Sequence, residues 1–195
     1  MHPGALLDLA TALLREVLSF DAPADGVVSA FFRRHRQLGA RERHALAETT
    51  YAVLRERLLL QHLAQSGRGP LERRLAVLGW CGDAAQLERA LERAEREWLA
   101  QMRAVDREAL PDKLRHNLPD WIAQPLRAQL GDDALRALAQ ALLEPAPLDL
   151  RVNALKAKRE GVQAALAAAG IVAEPTPYSP WGLRVHGKPA LHKAE

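Results

Sequence analysis

The feature that most constrains this chain is a change of period near its end. Up to residue 143, apolar positions recur at spacings of three and four. LDLRVN (148–153) then alternates strictly, with Leu148, Leu150 and Val152 to one side and Asp149, Arg151 and Asn153 to the other. Spacings of three and four build the apolar stripe of a helix; a period of two builds a half-buried strand. The switch falls at a proline-marked boundary, EPAPLD (144–149). Two units are therefore expected: a mainly α unit over 1–143 and a smaller α+β unit over 144–195.

Within the first unit, residues 5–20 align Leu6, Ala10, Leu13, Leu14 and Val17. Asp21 is a candidate cap for a second helix that buries Val27, Val28, Phe31 and Phe32 and stops at Gly39. A third helix, 41–63, buries Leu46, Val53, Leu54 and Leu58. SGRGP (66–70) breaks the pattern, and a fourth helix with Leu71, Leu75 and Leu78 ends near Gly79 or Gly82. Asp83 opens a fifth, with Leu87, Leu91, Ala94, Trp98 and Met102 in line and a solvated face of mixed Glu and Arg. A less regular helical extension starts at about 104. The segments 118–131 and 132–143 read as a helix pair turning at Gly131, with Pro125 expected to kink or delay the first.

Beyond the boundary, a strand at 148–153 precedes a helix over 158–169, closed by Gly170. Ala157 stands where a capping Ser or Thr would help that helix start. Ile171–Glu174 reads as a second strand, TPYSPWG (176–182) as a turn and LRVH (183–186) as a third strand. This β-α-β-β order is an incomplete α+β sandwich whose sheet keeps an unpaired edge.

Hydrophobic residues make up 48% of the chain, enough for a core and against disorder. The single cysteine, Cys81, rules out an intrachain disulfide framework and is read as a buried structural thiol in a reducing compartment. The N-terminus lacks a basic start, and Asp8, Arg15 and Glu16 interrupt its apolar residues, so neither a signal peptide nor a membrane span is expected. The expected location is cytoplasmic. A net charge of +3 permits an acidic partner without demanding one.

No motif supplies an active site. GRGPLE (67–72) has neither a preceding strand nor the third glycine of a nucleotide loop. The seven histidines are scattered without ligand spacing, so no metal is expected. Two basic stretches are the candidate binding residues. In FFRRHRQLGARERH (31–44), Arg33, Arg34, Arg36, Arg41 and Arg43 oppose only Glu42 at a helix junction, an arrangement suited to phosphates. Arg151 and Asn153 project from one strand face, and Lys156 and Lys158 follow on the next loop. The alternative for both is an ordinary solvated surface.

PAPLDLRVNALKAKREGVQAALAAAGIVAEPTPYSPWGLRV (145–185) resembles the segment just upstream of the catalytic domain in the RsmB/Sun family of RNA (cytosine-5) methyltransferases. The LRVN strand, the AGI helix end and the PYSP–GLR turn carry the match. LPDWI (118–122) is similar to the helix opening before that segment. QLGARERHALAETTYAVLRER (37–57) resembles the family's NusB-like helical domain. The resemblance implies a NusB-like RNA-binding domain over 1–143 and an incomplete ferredoxin-like β-α-β-β unit over 144–195. It further implies a Rossmann-like catalytic domain that binds S-adenosylmethionine and attacks C6 of cytosine with a cysteine. The cofactor loop and the Asp-Pro-Cys and Thr-Cys motifs of that domain are absent from this sequence, and Cys81 matches neither cysteine motif. The chain is thus expected to hold no catalytic, cofactor-binding or metal-binding residue, to lack the C-terminal methyltransferase domain and to be inactive alone. Its expected partners are RNA, rRNA in particular, and that missing domain, with no membrane and no DNA. Two other readings stay open: a stand-alone NusB-like RNA-binding or assembly module, and a helical protein-interaction domain that never touches RNA.

Overall fold

The computed structural model describes residues 2–187. The chain divides into two compact units, Met1–Leu143 and Glu144–Glu195. The first is helical: α1 (Pro3–Val17), α2 (Ala24–Arg34), α3 (Ala40–Arg55), α4 (Arg57–Ala64), α5 (Leu71–Leu78), α6 (Ala84–Ala90), α7 (Arg93–Arg103), α8 (Asp112–Arg115) and α9 (Asp120–Leu143). Its core is organised on α1, which packs against α2, α3, α5 and α6. That role follows from composition. Leu7 is buried alongside Leu6, Ala10, Leu13, Leu14 and Val17, so the apolar surface is wider than the single stripe expected from spacing.

Four helix boundaries differ from expectation. Pro23, not Asp21, occupies the N-cap of α2, and Gly39 caps the start of α3 rather than ending α2, which stops at Arg34. The expected helix over 41–63 breaks at Glu56, where φ −99° and ψ 26° leave the helical region. The break is held by a side chain far away in sequence. Asn117 Oδ1 accepts from the backbone N–H of Leu58 at 2.8 Å and of Leu59 at 3.3 Å, and its Nδ2 donates to the carbonyl of Arg55. One amide thus satisfies groups orphaned at the end of α3 and the start of α4. The expected fifth helix also breaks, at Leu91 (ψ 141°), because Glu92 and Glu95 form a capping box that starts α7. Asp83 does cap α6, accepting from Gln86 N–H at 2.8 Å.

α9 is two helical segments that meet at a kink at Gly131, with φ 77° and ψ 173°, as expected, while the first segment runs through Pro125 with helical geometry kept. A left-handed φ of this kind is a glycine conformation. Only Ala123, Leu135 and Ala139 of this helix are buried, while Trp121, Leu130 and Leu142 are exposed.

His116, beside Asn117, is buried, and burial together with the Arg115 charge holds its imidazole below the usual histidine range. Below the unfolded value of about 6.5 the unfolded chain takes up a proton that the folded state resists. Stability is therefore expected to fall as pH drops through that value and on toward the depressed folded one. Urea midpoints measured at about pH 7.5 and about pH 5.5 should differ, and His116→Gln should reduce the difference.

The second unit consists of β1 (Leu148–Arg151), α10 (Arg159–Ala168), β2 (Ala173–Pro175) and β3 (Gly182–Val185). The strands form one sheet in the order β1-β3-β2, with both pairings antiparallel. Leu148 lies opposite Val185 and Leu150 opposite Leu183. These side chains share one face with Ala173 and pack with Val152, Leu166, Ile171 and the half-buried Val162 of α10 and its flanks. The alternation in the sequence is thus read out directly as a covered face. Ala169, expected as the last residue of the helix, is instead its exposed C-cap residue, followed by Gly170 at φ 76°. Lys158, not Ala157, holds the N-cap position of α10 and makes no side-chain cap. The Pro175 ring is tolerated because β2 pairs on one side only among the described residues.

Candidate nucleic-acid interface

The α2–α3 junction is built on Phe31, which is fully buried and whose carbonyl accepts from His35 N–H at 3.0 Å, and on the buried Leu38. Two of the five predicted arginines maintain this turn. Arg43 Nε donates to the Leu38 carbonyl at 2.9 Å, and its guanidinium lies 5.8 Å from the Phe32 ring centroid. Arg34 ties the turn to α1 through Glu16, at 2.7 Å to Oε1, and sits 5.7 Å from the Phe31 centroid. Glu42, the lone acid, accepts from Gly39 N–H at 2.7 Å, and this bond holds its carboxyl below the usual range. Arg33, Arg36 and Arg41 are exposed, and their side chains make no hydrogen bond or ion pair among the described residues. They lie on the last turn of α2, in the loop and on the first turn of α3. Five arginines in the sequence thus become two that build the junction and three that face solvent.

The second cluster changes in the same way. β1 ends at Arg151, so Asn153 lies beyond the strand and does not share its outer face. Its Oδ1 accepts from Leu155 N–H at 3.1 Å, and its carbonyl accepts from Lys156 and Ala157 at 2.9 and 3.0 Å. This is an Asx-type turn, and the side chain is spent on shaping the loop. Arg151, Lys156 and Lys158 remain exposed. The outer sheet face is self-neutralising: Asp149, Arg184 and Glu174 are cross-strand neighbours, and Arg184 grips Asp149 with two bonds of 2.8 and 2.9 Å. That pairing lowers the Asp149 carboxyl below its ordinary range and raises the Arg184 guanidinium.

Sequence reasoning passed over the loop that meets this one. Strands β1 and β2 run the same way and β3 opposite, which brings 152–158 and 176–181 to one end of the sheet. Val152 N–H donates to the Trp181 carbonyl at 2.9 Å. Tyr178 and Trp181 stand in that second loop, 98% and 50% exposed. Two aromatics in a proline-rich, acid-free turn were the available signal.

Elsewhere a cavity of about 670 Å³ lies between 66–70 and α5–α7. Several of its polar groups are engaged with one another or with the backbone. Arg73 pairs with Glu95 at 2.6 Å and with Asp8 at 3.1 Å; the Trp98 indole donates to Ser66 at 3.0 Å; Arg74 donates to the Ala64 and Gly67 carbonyls. Gly67 is needed for packing, since a Cβ there would come within 2.9 Å of Trp98. Cys81 is exposed, against the expected burial. The chain turns outward after α5 ends at Gly79, and the thiol donates to the Gly79 carbonyl at 3.4 Å. Among the described residues no three His, Cys, Asp or Glu side chains converge on a metal position; His192 lies outside those residues. No helix of the described residues is long and apolar enough to cross a membrane.

Residues 118–192 match the family model for the ferredoxin-like domain of RsmF/B-like methyltransferases. That match begins within the approach to α9, upstream of the division after Leu143. The chain is 36% identical over 107 residues to ribosomal RNA small subunit methyltransferase B of Xylella fastidiosa, strains 9a5c and Temecula1. The matched stretch is 55% of this chain and covers 23% and 22% of those relatives, so the chain spans under a quarter of their length. The crystal structure of PH0851 superposes on 99% of this chain with a TM-score of 0.66, covering 50% of that protein, at 15% identity. That likeness extends to the fold, a helical region followed by a small α+β unit.

Proposed function

We propose that the chain is of the RsmB/Sun kind, from the match of its residues 118–192 to the ferredoxin-like domain and its likeness to ribosomal RNA methyltransferases, and that it holds RNA for a methyl transfer carried out by another part of such a protein. In this reading the helical unit is NusB-like, the RNA is ribosomal, and the reaction is at C5 of cytosine. The curated relatives are named as ribosomal RNA methyltransferases, which supports an RNA substrate. The observation that carries the binding role is the trio Arg33, Arg36 and Arg41, exposed around one buried turn with their charges uncommitted among the described residues. Long cations held apart from acids are what a phosphate backbone recruits.

S-adenosylmethionine is the cofactor such methyltransferases imply, and the described residues do not fit it. Their only sheet is antiparallel, and the glycine-containing loop at 66–70 follows a helix, not a strand. Neither offers the strand–loop–helix cradle of a Rossmann-type site. Methyl transfer is therefore assigned to no residue described above, and the chain alone is proposed to be inactive.

The test is binding of structured ribosomal RNA at several salt concentrations. Affinity should fall steeply with salt, and replacing Arg33, Arg36 and Arg41 together by Gln should lower the slope of log K against log salt by about 2 to 3. Salt-independent binding, or an unchanged slope in the triple variant, would count against the reading.

A further inference from the structure

We propose that the loop end of the second unit is a single-strand clamp, in which Tyr178 and Trp181 stack on unpaired RNA bases while Arg151, Lys156 and Lys158 take the adjoining phosphates. This deepens the RNA-holding role above and rests on it. Three observations carry the assignment.

The first is exposure of rings on a rigid support. Tyr178 is 98% exposed, yet its loop is closed on itself. Thr176 N–H donates to the Gly182 carbonyl at 3.1 Å, Gly182 N–H to the Ser179 carbonyl at 3.2 Å, and Trp181 N–H to Ser179 Oγ at 3.3 Å. Pro177 and Pro180 fix two more φ angles. A Cβ at Gly182 would collide with Thr176 Oγ1, so the loop is also drawn in tightly against the strand. A large ring held outward by a stiff loop loses little freedom when something stacks on it.

The second is charge. From Arg151 to Arg159 the chain carries four cations and no acid, and 176–181 carries no acid either. The loops are joined through the Val152–Trp181 hydrogen bond, so rings and cations occupy the same end. Aromatic faces interleaved with cations are the composition of single-strand binding surfaces. An acid-free cationic end fits nucleic acid better than a protein partner whose own surface is of mixed charge.

The third is the poverty of the alternative surface. The outer sheet face, where bases would otherwise lie flat, presents Asp149 bound to Arg184 and, beside them, Glu174 with its carboxylate 3.3 Å from His186 Nε2, and no Phe, Tyr or Trp stands among these groups. Base stacking at this unit is thereby confined to the loop end.

The experiment compares the 195-residue chain and its variants binding a labelled single-stranded RNA of about a dozen nucleotides and the same sequence as a duplex. Tyr178→Ala and Trp181→Ala should each weaken single-strand binding roughly tenfold, with duplex binding unchanged. Tyr178→Phe and Trp181→Phe, which keep the ring, should bind nearly as the parent. Parent-like single-strand affinity in Tyr178→Ala would overturn the clamp and leave the loop end as a protein-docking surface. Equal loss on single strand and duplex would also overturn it. If the parent chain binds neither RNA, the RNA-holding role itself fails, a result distinct from loss of stacking alone.

Discussion

Asn117→Ala should cost the helical unit about 3 kcal/mol, measured as a shift of the urea midpoint with unchanged slope. The side chain is the joint between α3 and α4. Removing it strips the Leu58 and Leu59 N–H groups of their acceptor and the Arg55 carbonyl of its donor, all at a part-buried break in the backbone. Each polar group left unsatisfied there costs on the order of 1–3 kcal/mol, reduced where water can enter. Asn117 also sits at φ 52°, a left-handed conformation that asparagine tolerates better than alanine. Two further variants separate these terms. Asn117→Gly relieves the backbone and loses the bonds, and should remain strongly destabilised. Asn117→Asp keeps the acceptor and loses the donor, and should fall between Gly and the parent. A parent-like Asn117→Gly chain would mean that water replaces the side chain at no cost.

Leu183→Ala should unfold the second unit while the first keeps its structure. Leu183 is fully buried in the central strand, between Leu150 and Pro175 across the ladder. A buried Leu→Ala change typically costs 2–5 kcal/mol. Among the described residues the unit has six buried apolar residues in its core, and a domain this small has little stability to lose. Amide exchange should become fast across 148–185, with protection retained in α1 and α5. Uniform loss across both units, or retained protection in β3, would contradict the picture of a separate small core.

Much of this fold was legible because its signals are local. The period change at 148, the break at 66–70, the capping Asp83 and the turn at Gly131 are each written within a few residues. The misses share a different cause. The α3–α4 break depends on Asn117, some sixty positions away, and no window along α3 contains it. The α6–α7 break was in principle readable as Glu92 and Glu95 spaced for a capping box, but the apolar spacing through Leu91 and Ala94 carried the opposite message. At the candidate interface the sequence showed which residues are charged and not which charges are spent. Arg34 and Arg43 look like Arg33 and Arg36 in the sequence; only the positions of Glu16 and the Leu38 carbonyl distinguish them. Tyr178 and Trp181 were passed over because their meaning depends on strand direction, which places their loop beside 152–158.

The sheet order also bears on how the chain is made. β1 and β2 each pair with β3, and β3 is the last of the three to be synthesised. A nascent chain that has just released β2 thus carries two strands with no ladder between them. Their register is written only when 182–185 leave the ribosome, so the second unit acquires its sheet in a single late event. α2 lies close to α1 in the chain and can dock on it long before then.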